Sequence, residues 1–312
     1  MAAFLVPLCL LACKREGAKP IPAGEQTVKP KASFPYATAH SGGSFDKKGR
    51  ELWVARDGVR LAPTDTALVP IVDGSIPVEH KRSGPHDLHV VTLAKALGAQ
   101  EPNREAVLHV DSKVTYRVLT EVLFTLGQVG FTRWQFVVKT DSGALASIVL
   151  EAPSIGKGAP SSSAATIAAE LDALEMKALA TLGSSLPPGI LGSVPPPPPP
   201  PKCGDLPLQL HAIVTTEGFI VKAFGASIGA DCRTPGVGTT VVMKDGRYDF
   251  AALHGCVTKL VSCSKAYASE HAAMVGASPT TEFQTVVSVW DAVRRRDDGT
   301  PLLPDLSLTV VR

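Results

Sequence analysis

With 312 residues, the chain is long enough for about two domains, and its 45% hydrophobic content is that of a folded protein. The net charge of +2 is too small to imply a nucleic-acid partner; the one basic run, Arg294–Arg296, is offset at once by Asp297 and Asp298 and reads as a solvated helix end. The 26 prolines are concentrated rather than spread, which marks a linker.

Met1–Ala12 is almost wholly apolar and runs into Cys13-Lys14-Arg15-Glu16. This is too short to span a bilayer, which takes roughly 20 apolar residues. It reads as the end of a secretory signal. Leu10-Leu11-Ala12-Cys13 resembles the cleavage site of bacterial lipoproteins, which implies a lipid on Cys13 and a membrane anchor through it. No lysine or arginine precedes the apolar stretch. A cleaved soluble export signal and an ordinary cytoplasmic start therefore stay open. Residues 13–44 carry the Lys, Pro, Gly and Ser content of a tether.

Residues 45–140 give the first folded region. Glu51–Ala55 alternates, turns at Asp57-Gly58 and resumes at Val59–Leu61, a hairpin pattern with Trp53 on the packed face. Leu68–Val72 is apolar, but Pro70 disfavours a central strand. Ser75–His86 is polar and turn-rich. Asp87–Leu97 has a helical apolar set and ends at Gly98. Ala106–Val110 reads as a buried strand, Asp111–Lys113 as a turn and Val114–Leu126 as a helix. Trp134–Val138 is a second strand, completing a βαβ unit.

Residues 141–205 read as a linker. It contains a helix over 164–182, with Ile167, Leu171, Leu174 and Ala178 on one side, and the polyproline run Pro195–Pro201. Between two domains that run reads as a stiff spacer rather than a recognition tract. Residues 206–312 repeat the first order. Leu210–Thr215 and Phe219–Phe224 form a hairpin around Glu217-Gly218, and Gly225–Val237 is an irregular insert. A turn follows at Asp245-Gly246, then a helix over Phe250–Val261. Ala272–Val275, Thr280–Arg295 and Leu306–Val311 supply strand, helix and strand. The expected fold is α+β: two small two-layer domains of β-β-α-β-α-β order, produced by internal duplication.

Setting aside Cys9 in the signal and Cys13 at the lipid position leaves Cys203, Cys232, Cys256 and Cys263. Confined to one region, they fit two disulfides, with free thiols and a zinc site as the alternatives. Cys256 and Cys263 lie about 10 Å apart along a helix, too far for a direct bridge. Each is expected to pair with Cys203 or Cys232. His80, His86, His89 and His109 invite a metal reading with Asp87 or Asp111, against solvated histidines. Gly236-Val237-Gly238 lacks the third glycine of a dinucleotide loop, and there is neither a phosphate-loop lysine motif nor a Gly-x-Ser-x-Gly elbow. No cofactor and no enzyme activity are expected.

Residues 104–138 carry Val110, Asp111, Val114, Thr115, Tyr116, Val118, Leu119, Val122, Gly130, Phe131 and Thr132 in the order of a strand, an aspartate, a tyrosine-led helix and a Gly-aromatic-Thr entry to the last strand. This pattern resembles the periplasmic domain of the ExbD/TolR family of biopolymer-transport proteins, partner subunits of proton-driven inner-membrane motors. Residues 206–312 resemble it loosely, with Gly276 expected in place of the aspartate and Thr281 in place of the tyrosine. The family's membrane helix with its proton-transferring aspartate has no counterpart in this sequence. The resemblance implies a non-catalytic envelope protein on the periplasmic side that binds a protein partner or peptidoglycan, with Asp111 and Tyr116 as interface candidates at an exposed strand-helix corner. It also implies a homodimer or, with two copies in one chain, an internal pseudo-dimer. A structural envelope protein without a motor partner is the alternative.

Overall fold

Alternation of small and branched apolar residues makes the strands, and the breaks at Asp-Gly pairs set their lengths. In the computed structural model, residues 34–40, 42–45, 49–61, 66–98, 104–151 and 207–310 are described. The lipid-acceptor candidate Cys13, Cys203, the 164–182 helix and the polyproline run lie outside them. The first half contains β1 (Arg50–Ala55), β2 (Gly58–Leu61), β3 (Val69–Pro70), α1 (Val91–Leu97), β4 (Arg104–Val110), α2 (Tyr116–Gln128), β5 (Phe131–Lys139) and β6 (Leu145–Glu151). The second contains β7 (Leu210–Thr215), β8 (Gly218–Ala223), β9 (Ala226–Ser227), β10 (Val241–Val242), α3 (Phe250–Ser262), β11 (Ala272–Ala277), α4 (Phe283–Arg294) and β12 (Asp305–Val310).

The sheets are mixed and follow one plan. The first runs β3-β2-β1-β4-β5-β6 and the second β10-β8-β7-β11-β12, with β9 beside β8. In each, the hairpin is antiparallel and its first strand continues in parallel with the next two: β1, β4 and β5 in one, β7, β11 and β12 in the other. This is the expected α+β fold, with the two halves sharing one strand order. A further shared device is the type I′ turn after β3 and after β10. Asp73 and Gly74 have φ of 49° and 70°, and Asp245 and Gly246 have 51° and 71°. Asp-Gly suits both central positions because each needs positive φ.

Two boundaries differ from expectation. Leu145–Glu151, expected to belong to the linker, is the antiparallel edge strand β6, entered through a turn at Gly143. One face, Ala146, Ile148 and Leu150, is apolar and buried, and the other mixes Leu145 and Val149 with Ser147 and Glu151, which blurs the alternation. The described part of 34–44, expected to belong to the tether, joins the first sheet together with Phe45, partly over its outer face and partly along the free edge of β6. Tyr36 bridges to Asp111, Thr38 to Lys139 and Gly43 to Ser147. Phe34, Tyr36 and Phe45 cover Trp53, Val107, His109 and Val137 there. α2 and α4 also start later than the periodicity indicates, whereas α3 starts at Phe250 as expected. Residues 112–115 and 279–282 are drawn into a contact between the halves instead of a first helical turn.

That contact makes one core of two repeats. All described residues belong to one compact unit, and a single hydrophobic cluster runs from Leu52 through Phe136 and Phe283 to Leu306. Four backbone bonds relate the halves by an approximate two-fold. Tyr116 N donates to Thr281 O and Phe283 N to Val114 O, at 2.7 and 2.8 Å; Arg117 N donates to Pro279 O and Gln284 N to Ser112 O, at 3.0 and 2.8 Å. The halves therefore pack as an internal pseudo-dimer, not as modules held apart by a rigid spacer.

The strap 34–45 ties into both halves. Thr38 N donates to Gln284 Oε1 at 2.8 Å and Gln284 Nε2 returns a bond to Thr38 O at 2.9 Å. His40 N donates to Asp291 Oδ2 at 2.7 Å, and its Nδ1 donates to Asp141 Oδ2 at 2.7 Å. The Asp141 bond raises the pKa of His40 above the usual imidazole value. This contribution to stability is complete below the unfolded pKa, near 6.5, and is lost as pH rises through the higher folded value. Solvent screening keeps it small, because both side chains are exposed. A histidine NMR titration should place His40 above an ordinary exposed imidazole, and Asp141→Asn should bring it down. An unchanged midpoint in that variant would remove Asp141 as the cause.

Cys232 and Cys256 form a disulfide with a Cα–Cα distance of 5.1 Å, joining the insert after β9 to α3. Cys263 is also disulfide-bonded, so the absence of a direct Cys256–Cys263 bridge accords with the helical spacing. The Cys232–Cys256 separation is 24 residues. Loop-closure entropy for a loop of that length gives about 3.5 kcal/mol. Cys232→Ala with Cys256→Ala should lower the urea midpoint accordingly, and a midpoint within error of the parent would show that the insert is held by packing alone.

Candidate functional site

A cleft of about 560 Å³ opens beyond the carboxyl ends of β1 and β4. Four elements build it: the β1–β2 turn brings Arg56 and Asp57, the I′ turn brings Asp73 and Gly74, the end of β4 brings Asp111, and the start of α2 brings Thr115 and Val118. Ile71, Val114 and Val118 supply apolar lining. Ligand sites of open sheets with parallel central strands favour this end, where the strands stop and the connections diverge.

Local hydrogen bonds fix the polar lining. Arg60 forks onto Asp57, Nη1 to Oδ1 at 3.0 Å and Nη2 to Oδ2 at 2.6 Å, and holds that carboxyl below its ordinary range. Asp111 Oδ1 accepts from Lys113 N at 2.9 Å, closing an Asx turn. Thr115 caps α2 by accepting from Val118 N and donates its hydroxyl proton to Gly74 O at 2.7 Å, which fastens the I′ turn to the helix. Lys113 Nζ reaches Glu282 of the other half at 3.4 Å. The described lining contains no histidine, cysteine or serine. It presents three carboxylates beside two cations, an arrangement that holds a polar ligand by charge and hydrogen bonds.

Asp111 and Tyr116 diverge. Asp111 lines the cleft, although it is only 5% exposed. Tyr116 is 2% exposed, so the corner predicted to be exposed is buried between the halves. Its hydroxyl donates towards Thr309 O at 2.6 Å and Val275 O at 3.2 Å, at the strands β12 and β11 of the opposite half. Burial pushes its pKa far above the usual phenol value. The structural counterparts also differ from the expected ones. Asp111 N bonds Val54 O as Ser278 N bonds Val214 O, and the reciprocal pairing matches Tyr116 to Phe283. Ser278 and Phe283 thus stand at the positions assigned to Gly276 and Thr281. Aligning on the turn residues displaced the match by two, because the β11 apolar run continues to Ala277.

The histidines do not converge. Among the described residues, no group of three or more His, Cys, Asp or Glu is placed to hold a metal ion. His80 Nδ1 meets Thr92 Oγ1 at 2.9 Å. His109 lies under the strap, stacked on Trp53 with centroids 3.9 Å apart and 3.0 Å from the Tyr36 hydroxyl. His86 is exposed. Arg56, Asp57 and Asp73 join Asp111 only through the fold; the Asp73-Gly74 pair, which matches Asp245-Gly246, was the available signal. A second hollow, of about 570 Å³, lies at that turn, lined by Lys244, Asp245, Arg247 and Tyr248 and by the start of α3. It takes no residue from the ends of β7 and β11 or the start of α4, so it does not copy the first cleft.

Protein-family profiles, curated proteins and solved structures yield no match to this chain. Among the described residues, no helix is long and apolar enough to cross a membrane.

Proposed function

We propose that this protein is a non-catalytic binding or scaffolding component of the cell envelope, accessory to a proton-driven biopolymer-transport complex. The carrying observation is the reciprocal pairing of 112–117 with 279–284, which joins two copies of one α+β unit into a pseudo-dimer. A family whose periplasmic domains work as dimers is the setting in which such a fusion has a purpose, and residues 110–132 resemble that family's motif. The cleft supports a binding role because its described lining sets charged groups of both signs beside an apolar floor. The Cys232–Cys256 disulfide suits an oxidising compartment. On this reading, Cys13 carries the lipid and the partner is an envelope protein or peptidoglycan.

The test is crosslinking in the native cell with a photoreactive residue at position 113, on the cleft rim, followed by purification from the membrane fraction. The expected adduct contains a polytopic inner-membrane protein or a peptidoglycan fragment. Asp73→Arg, which reverses one charge at the opening, should lower its yield several-fold. Adducts with cytosolic proteins only, or a yield unchanged by Asp73→Arg, would overturn the proposal.

A further inference from the structure

Part of the charge that lines the first cleft is already committed. Asp57 holds the Arg60 fork, and Lys113 reaches Glu282. Arg56, Asp73 and Asp111 have no ion pair among the described residues. Arg56 and Asp73 are exposed. Asp111 is only 5% exposed, yet it lines the cleft. Its Oδ1 accepts from Lys113 N, and among the described residues nothing donates to Oδ2. A carboxylate oxygen held out of water without a donor is exceptional, because its desolvation is then uncompensated. The matching position in the second half does not repeat the arrangement: the Ser278 hydroxyl donates back to Val214 O at 3.4 Å.

We infer that this cleft binds an aliphatic amino carboxylate, with the ligand's ammonium on Asp111 Oδ2, its methylenes on the apolar floor and its carboxylate on Arg56. The inference rests on reading the cleft as a binding site and needs nothing of the envelope setting. Each part of the ligand follows from a lining group. Oδ2 calls for a donor, and for a carboxylate in a low-dielectric site a cationic donor is the strongest. A metal ion does not fit, since among the described residues no group of three or more His, Cys, Asp or Glu is placed to share one. A guanidinium recognises a carboxylate through both oxygens, and one oxygen of Asp111 is committed to Lys113 N. A primary ammonium is a compact donor of three protons, so it can give one to Asp111 and the others to water or Asp73. Ile71, Val114 and Val118 take the methylenes, as apolar surface does beneath a lysine stem. The Arg56 fork suits the carboxylate at the other end.

An amide-resolved NMR titration of the full chain tests this, with 6-aminohexanoate, hexylamine, hexanoate and calcium chloride as probes. 6-Aminohexanoate should give saturable shifts at Gly74, Lys113 and Thr115, and none at the paired turn of Asp245 and Gly246. Hexylamine should bind at the same amides about tenfold more weakly, and hexanoate should not saturate. Asp111→Asn keeps an oxygen for Lys113 N and removes the charge, so 6-aminohexanoate should bind it more weakly by about tenfold or more. Arg56→Gln should bring 6-aminohexanoate down to the affinity of hexylamine. Hexanoate or calcium saturating these amides in place of 6-aminohexanoate would overturn the ligand class while keeping the cleft as a binding site. No saturable shift from 6-aminohexanoate, or parent-like binding by Asp111→Asn, would also overturn the inference. The ranking of the four probes on the parent decides the matter even if a variant misfolds. The crosslink at position 113 reads the partner separately, so either result can fail alone.

Discussion

Glu121→Ala is expected to destabilise the protein by about 3–5 kcal/mol, the cost of leaving a buried charge without its partner. Lys81 Nζ lies 2.6 Å from Glu121 Oε1, and the two side chains are 1% and 0% exposed. Lys81 Nζ also donates to Pro85 O at 3.1 Å, and Arg117 Nε donates to the same Glu121 oxygen at 3.0 Å. Arg117 is part-exposed and can turn to water, whereas Lys81 cannot leave without opening the 78–90 loop. The pair therefore fixes an otherwise irregular, polar segment to the middle of α2. Urea unfolding measures the loss, and amide exchange in 78–90 should accelerate before the rest of the first half. Lys81→Met combined with Glu121→Leu should recover most of the stability, because an apolar pair fills the same space without desolvating charge. If the single variant cost less than about 1 kcal/mol, water would be solvating the lysine and the loop would not depend on it.

The sequence made some of this architecture legible and concealed the rest for identifiable reasons. Asp57-Gly58 and Glu217-Gly218 announce hairpins because their backbone demands are local. The α2 and α4 cores are readable because Val118, Leu119, Val122 and Leu126, and then Phe283, Val286, Val287, Trp290 and Val293, keep helical spacing. β6 was hidden because its outer side mixes Leu145 and Val149 with Ser147 and Glu151, so the polar half of the alternation is incomplete. The strap itself resembles a tether because its hold on the protein is made of backbone bridges and three aromatic rings spaced among polar residues. Glu121 and Lys81 read as surface charges, since nothing local reveals that residues 40 positions apart meet inside. The cleft was half-visible. Asp111 stood out through a resemblance, while Asp57 read only as a turn residue and Asp73 drew no reading; both reach the same opening through the sheet order.

Phe283→Ala is expected to cost about 3–5 kcal/mol and to unfold both halves in one transition. Phe283 is fully buried, with its ring 5.7 Å from that of Phe136 in the first half and 5.8 Å from that of Trp290 in its own. Its two-fold counterpart Tyr116 enters the second half in return, and there the hydroxyl engages the carbonyls of Thr309 and Val275. The exchange is unequal in kind: one side contributes aromatic packing, the other packing plus a polar anchor. Tyr116→Phe keeps the ring and removes only the anchor, so about 1 kcal/mol should be lost. Tyr116→Ala removes both and should approach the Phe283→Ala value. Because the cluster that contains these rings is continuous through both sheets, circular dichroism and tryptophan fluorescence should give coincident urea transitions in every variant. A biphasic transition, with the second half melting first in Phe283→Ala, would mean that each repeat carries its own sufficient core. The reciprocal backbone bonds between 112–117 and 279–284 would then be a contact between finished domains instead of the centre of one fold.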